Sequence, residues 1–287
     1  MFNNVSITKD GKKDIIDISG KRFNQVTELS DDDLARLLKI NSELFKFYTN
    51  WYLLHGKLFY FKTDFIFNEI FLSELAHEFN VRCVQFMLAK DGKNVGVISR
   101  NFRKKTFNYY NYIEFCEKFF GEVPRDIESF KSKLYSKFDK ENADMLMEQI
   151  FSLIAFDFFS GQNDRTHINV TFEEKGGSAT LAPMCDNGVA FHLGDFNTYA
   201  ACFDKLFFPY DNMIDPNQLY LLKLIRENAI FYDKLSKALN INIKDVLERT
   251  LEKYKIRMST LEKIKVNDFF GAKCDVIERS LVYSKKI

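Results

Sequence analysis

Between Gly161 and Gly188 the chain runs through a turn-rich loop, Gly161-Gln162-Asn163-Asp164-Arg165-Thr166-His167-Ile168-Asn169, then two extended runs, then a second acidic turn, Asp186-Asn187-Gly188. No other stretch constrains the fold as much. Ile168-Asn169-Val170-Thr171-Phe172 alternates apolar and polar side chains, and Ala179-Thr180-Leu181-Ala182-Pro183-Met184 follows the turn sequence Lys175-Gly176-Gly177-Ser178. That pattern predicts a β-hairpin. An antiparallel pair carries the chain away from Asn169 and brings it back, so Asp186 is expected near Asp164 and Asn169, with three oxygen-bearing side chains in one pocket.

Two carboxylates and a carboxamide so arranged are the parts needed to move the γ-phosphoryl group of ATP. One carboxylate orients the acceptor hydroxyl, while the amide oxygen and the second carboxylate hold Mg²⁺. The segments before the loop fit the same expectation. Trp51-Tyr52-Leu53-Leu54 and Leu58-Phe59-Tyr60-Phe61-Lys62 flank His55-Gly56-Lys57 and read as a hairpin ending in a lysine. Residues 66–79 place Ile66, Ile70, Phe71, Leu75 and Phe79 at helical spacing, with Glu69, Glu74 and Glu78 between them. Val81 to Leu88 and Val95 to Ser99, joined by Asp91-Gly92, form a further hairpin. Strand, strand ending in Lys, helix with Glu, strand, strand is the order of the small lobe of the protein-kinase fold. By position Lys62 is the phosphate-contacting lysine and Glu69 its partner, with Glu74 the second choice. Arg100-Asn101-Phe102 is then the hinge whose backbone reads the adenine edge.

Beyond residue 106 helical patterns dominate. Ile127, Phe130, Leu134 and Phe138 follow Pro124, read as a first-turn residue, and a longer helix from about Asn142 to Ser160 stops at Gly161. Ser30 with Asp33 starts a helix over about 31–47, Asp215-Pro216 opens another, and Ile243 to Met258 is amphipathic. The fold class expected is α+β and bilobal: residues 1–100 a β-rich nucleotide-binding lobe with one main helix, 101–287 a helical lobe carrying the loop 161–169 and the turn 186–188. The join falls near 99–106.

Charge adds little, since 41 Lys plus Arg against 40 Asp plus Glu favours neither nucleic acid nor an anionic membrane as partner. The five cysteines, Cys83, Cys116, Cys185, Cys202 and Cys274, lack CxxC spacing and read as buried free thiols of a reducing compartment. With no membrane-length apolar window and no signal-type start, a cytoplasmic protein is expected. The 31 phenylalanines, scattered at strand and helix spacings, read as core.

With Asn163-Asp164-Arg165, Asn169 and Pro183-Met184-Cys185-Asp186 in view, the chain resembles the HipA-like kinases, relatives of the phosphatidylinositol-kinase fold. Asn68-Glu69 with Leu72, Leu75-Ala76 and Phe79-Asn80-Val81 looks like that family's small-lobe helix, and Ile98-Ser99-Arg100-Asn101-Phe102 like its strand into the hinge. The resemblance covers roughly 58–190. It implies a Mg-ATP-dependent Ser/Thr kinase acting on a protein substrate, the chain itself being one candidate, with an antitoxin-type regulator in some members. Carried over, Asp164 is the catalytic base, Asn169 and Asp186 the Mg²⁺ ligands, Lys62 the phosphate lysine held by Glu69, and Ser99, Asn101 and Phe102 nucleotide contacts. The chain departs from the family in having Thr166 before His167, and in lacking a glycine-rich loop over 40–57. Ser42, Lys46 or Thr49 is left to hold the phosphates. A lipid or small-molecule kinase and a silent pseudokinase are the alternatives on the same fold.

Overall fold

The computed structural model describes residues 6–7, 14–27, 33, 34, 36, 50–162, 165, 167–191 and 225–284. The expected helix over 31–47, the phosphate candidates Ser42, Lys46 and Thr49, the residues Asp164, His192 and Cys202, and the helix after Asp215-Pro216 lie outside these, apart from Asp33, Leu34 and Arg36.

Strands β1 (Ser6–Ile7), β2 (Ile16–Asp17), β3 (Trp51–Leu54), β4 (Lys57–Lys62), β5 (Phe86–Asp91) and β6 (Asn94–Arg100) occupy the first hundred residues, with the short helix α1 (Phe23–Val26) and the longer α2 (Ile66–Glu78). Five of these strands form one sheet, ordered β2-β5-β6-β4-β3. The β3–β4 hairpin turns on His55-Gly56, both at positive φ (48° and 71°), which glycine accepts freely. Lys62 pairs with Val97 and Tyr60 with Ser99, so by strand alternation Leu58, Tyr60 and Lys62 share one face. The other face buries Tyr52, Phe61 and Ile98 with Ile18.

The expected strand from Val81 begins only at Phe86. Val84 N–H instead donates to Met184 O (2.9 Å) and Met184 N–H to Arg82 O (2.8 Å), so Arg82–Val84 docks beside the strand leading to Asp186. That non-local pairing takes these residues out of the sheet.

After β6 come β7 (Asn108–Asn111), α3 (Tyr112–Phe120), α4 (Ile127–Lys137), α5 (Lys140–Ser160), a 3₁₀ turn (His167–Asn169), β8 (Thr171–Lys175), β9 (Ser178–Leu181), α6 (Ala229–Ala238), α7 (Ile243–Lys253), β10 (Ile256–Arg257) and α8 (Thr260–Ser284). Asp126 caps α4 through Ser129 N–H (2.6 Å), so Pro124 precedes the cap and is not in the first turn. Asp139 caps α5, which ends at Gly161 in the left-handed region (φ 64°). Helix α7 stops at Lys253, short of the expected Met258, because Ile256–Arg257 pairs with β1.

The hairpin after the loop forms around Gly176 and Gly177, both at positive φ. It starts at Thr171, since His167–Asn169 coils into the 3₁₀ turn and is not extended. β7 adds a third strand to this hairpin.

One apolar cluster runs from α2 through α5 to α8. Phenylalanine fills it as expected: Phe79 packs on Phe156 and Phe159 (5.5 and 5.2 Å between centroids), and Phe115 stacks on Phe172 at 4.0 Å. Polar ties fasten α7 to α2. Lys253 Nζ and Tyr254 Oη lie 2.7 and 3.0 Å from Glu74 Oε1, and Arg249 lies 2.7 Å from Glu78. Of the described cysteines, Cys83, Cys116, Cys185 and Cys274 are free thiols, and Cys116 is fully buried. Among the described residues no helix is long and apolar enough to cross a membrane.

Candidate active site

Lys62 ends β4 with its ammonium between two carboxylates. It donates to Glu69 Oε1 and to Asp186 Oδ1, the latter at 2.5 Å, joining groups 7 and 124 residues away in the chain. Glu69 sits in the first turn of α2 and is completely buried, where a carboxylate is costly unless paired. Burial works against the charge on Lys62, but the attraction of Glu69 and Asp186 outweighs it, so the amine titrates above its ordinary range and is cationic at neutral pH. The structure thus brings together Lys62, Glu69 and Asp186. Glu74, the second choice, is instead tied to α7.

Helix α2 is aimed at Lys62 by its entry. Phe65 adopts a left-handed conformation (φ 55°) ahead of Ile66, and its ring lies against Gly188, where an added Cβ would come within 2.8 Å of it. Asn68 Nδ2 then donates to Gly188 O at 2.7 Å. The acidic turn and the helix start are therefore built against each other.

The loop 161–169 meets the same turn from the other side. Arg165, 3% exposed, makes a bidentate pair with Asp157 of α5 (both bonds 3.0 Å) and donates to Cys185 O (2.8 Å) and Asn187 Oδ1 (2.9 Å). Gln162 Nε2 donates to Asp186 O at 2.8 Å. Burial pushes the Asp157 carboxyl upward, while Arg165, joined to it by two parallel bonds, pulls it back. Burial likewise lowers His167, leaving a neutral imidazole at pH 7.

Asn169 closes the 3₁₀ turn directly before β8 and lines a cavity of about 310 Å³ with Met145, Gln149, Pro183 and Met184. Lys62, Glu69 and Asp186 do not line that cavity, so Asn169 does not share it with the lysine cluster. Ser99 is buried on β6 opposite Tyr60. Asn101 N–H is engaged by Leu58 O (2.9 Å) and Asn101 Oδ1 by Arg103 N–H (3.1 Å). The Arg103 guanidinium covers the Phe102 ring at 5.0 Å, so part of the basic run 100–105 is folded onto aromatic surface.

Oxygen donors of this kind suit a hard cation. Asp186 already gathers the Lys62 ammonium, and its side chain keeps 43% of its surface exposed. Among the described residues no three His, Cys, Asp or Glu side chains form a metal cage. Mg²⁺ requires none, being commonly held by one or two carboxylates together with substrate phosphates.

Reading the sequence alone missed Arg165, Asn187 and Gln162 as site-building residues. The signal for Arg165 was present: a buried-type Asp157 on the helix, eight residues before an Asp-Arg pair. Gln162 acts through the Asp186 carbonyl, and Asn187 through its N–H on Glu69 and its Oδ1 on Arg165, contacts that no spacing reveals.

A lysine held by a helix glutamate beside an acidic turn, on a five-stranded sheet joined to a helical part, defines a kinase-like fold. Solved structures bear this out. The Helicobacter pylori proinflammatory kinase CtkA is similar with a TM-score of 0.58 at 12% identity, over 82% of this chain and 94% of that one. HipA of Shewanella oneidensis, solved with HipB and its operator DNA, is similar with a TM-score of 0.57 at 13% identity, over 83% of this chain; the match spans 65% of HipA's length. No family profile and no curated protein sequence matches.

Proposed function

We propose that the chain is an ATP- and Mg²⁺-dependent phosphotransferase of the HipA-like kind, delivering the γ-phosphoryl group to a Ser or Thr hydroxyl of a protein. The observation that carries this reading is Lys62 fixed between Glu69 and Asp186. A lysine held cationic beside a second, partly exposed carboxylate is placed to neutralise the negative charge of a phosphate. Lys62 contacts the phosphates, Glu69 keeps it aimed, and Asp164 orients and deprotonates the acceptor hydroxyl. Asn169 and Asp186 are the residues that would hold Mg²⁺, which when bound neutralises charge on the phosphates. Ser99, Asn101 and Phe102 border the base; because Asn101 N–H is already paired, it is Phe102 that offers the hinge backbone. The two-lobe division at residue 100, a cytoplasmic location and a regulator of the antitoxin type belong to the same reading.

Incubation with γ-labelled ATP and Mg²⁺, followed by phosphosite mapping, tests it. Wild type is expected to label protein Ser or Thr, and Asp164→Ala to lose a factor on the order of 10²–10⁴, the contribution of a positioned base. Labelling of lipid headgroups alone moves the acceptor class. Nucleotide binding without transfer makes the chain a silent binding module.

A further inference from the structure

We propose that Asn187 is the positioning residue of the acidic turn, fixing the backbone that presents Asp186 by tying it to Arg165 on one side and Glu69 on the other. The inference rests on the nucleotide reading above and names the groups of this chain that set the Asp186 carboxylate in place. Asn187 has no exposed surface. Its N–H donates to Glu69 Oε2 at 3.0 Å, its Oδ1 accepts from Arg165 Nη2 at 2.9 Å, and its Nδ2 lies 3.5 Å from Cys83 Sγ. Glu69 therefore divides its two oxygens, Oε1 to Lys62 and Oε2 to the turn.

The need for such a tie is written in the backbone. Asp186 has φ 60°, a left-handed conformation that a non-glycine residue holds only when its surroundings over-determine it. Arg165 holds the Cys185 carbonyl, Gln162 holds the Asp186 carbonyl, and Asn187 is held through both its backbone and its side chain. Three consecutive residues, 185–187, are thus bound by two loop residues and one helix residue. Truncating the Asn187 side chain leaves Arg165 on Asp157 and Cys185 and the Asn187 N–H on Glu69, but removes the bond by which Arg165 holds Asn187 itself. Partners that orient a metal ligand typically change metal affinity by about 10- to 100-fold when removed.

The test compares full-length wild type, Asn187→Ala and Asn187→Asp, the last of which keeps an acceptor for Arg165. Deuterium exchange without nucleotide is expected to quicken over residues 183–190 in Asn187→Ala and to stay near wild type in Asn187→Asp. The Mg²⁺ concentration giving half-maximal binding of a fluorescent ATP analogue is expected to rise about tenfold in Asn187→Ala. Should that variant not fold, Asn187→Ser takes its place with the same expectations. Unchanged exchange, or faster exchange with an unchanged Mg²⁺ requirement, overturns the assignment. A wild-type chain that binds no Mg-nucleotide overturns the nucleotide reading and the metal-positioning role with it, a failure recognisable because the wild type itself shows it.

Discussion

Glu69 is buried without exposed surface and relies on Lys62 for its counter-charge, an arrangement with a direct energetic consequence. Lys62→Met leaves that carboxylate unpaired in the interior, and a broken buried pair typically costs about 3 kcal/mol or more. Urea unfolding of Lys62→Met should show that loss, and a variant as stable as wild type would contradict it. The thiols give a second expectation at this scale. Burial pushes Cys83 and Cys116 from 9.0 to about 12. Above about pH 9 the unfolded thiols release protons that the folded ones keep, so the contribution to stability falls as pH rises toward 12. At pH 8 both are protonated, and iodoacetamide should label them only after denaturation; rapid labelling of the native chain would contradict this. Charge made Lys62, Glu69 and Asp186 legible in the sequence, because a lysine at a strand end and acids at turn and helix positions stand out. Their neutral supports, Gln162 and Asn187, left no such mark: Gln162 meets the Asp186 carbonyl and Asn187 meets Glu69 and Arg165, partners chosen by how the loops pack.

Among elements, β6 crosses β4 with no room to spare. A Cβ on Gly96 would stand 2.1 Å from the Lys62 carbonyl oxygen and 2.8 Å from the Phe61 ring. Gly96→Ala must therefore push β4 away at the residue that carries the ammonium, and overpacking against backbone is expected to cost about 2 kcal/mol or more. Thermal unfolding checks it; a neutral substitution would show that the two strands separate freely. The β3–β4 hairpin, α2 and α5 were readable because periodicity and turn residues agreed. Helix α3 was not, its aromatic run Tyr112 to Phe120 being rich in weak helix formers, although Asn111 and Glu114 form a reciprocal capping box that announces its start. Strand β7 escaped for another reason: its four residues gain their structure from pairing with β8, more than sixty positions on. The run from Val81 shows the opposite error, strand-forming residues diverted by a bond to Met184.

Across the whole molecule, α2 is braced from the helical half. Glu74 takes Lys253 and Tyr254, Phe71 packs on Phe191 and Phe270 (both 5.9 Å), and Phe191 lies five residues after Asp186. Glu69 is thereby held toward Lys62 by contacts within the chain, which makes the arrangement pre-organised. The α+β class followed from the sequence pattern; this bracing did not, since it depends on contacts between elements far apart in the chain. Its consequence is that nucleotide should bind a site already formed. Calorimetric titration with a non-hydrolysable ATP analogue, with and without Mg²⁺, on wild type and Asp186→Asn, tests this most directly. The expected result is binding by wild type that strengthens at least about tenfold with Mg²⁺ and loses that gain in Asp186→Asn. Absence of binding by wild type, or affinity indifferent to both the cation and Asp186, would contradict it.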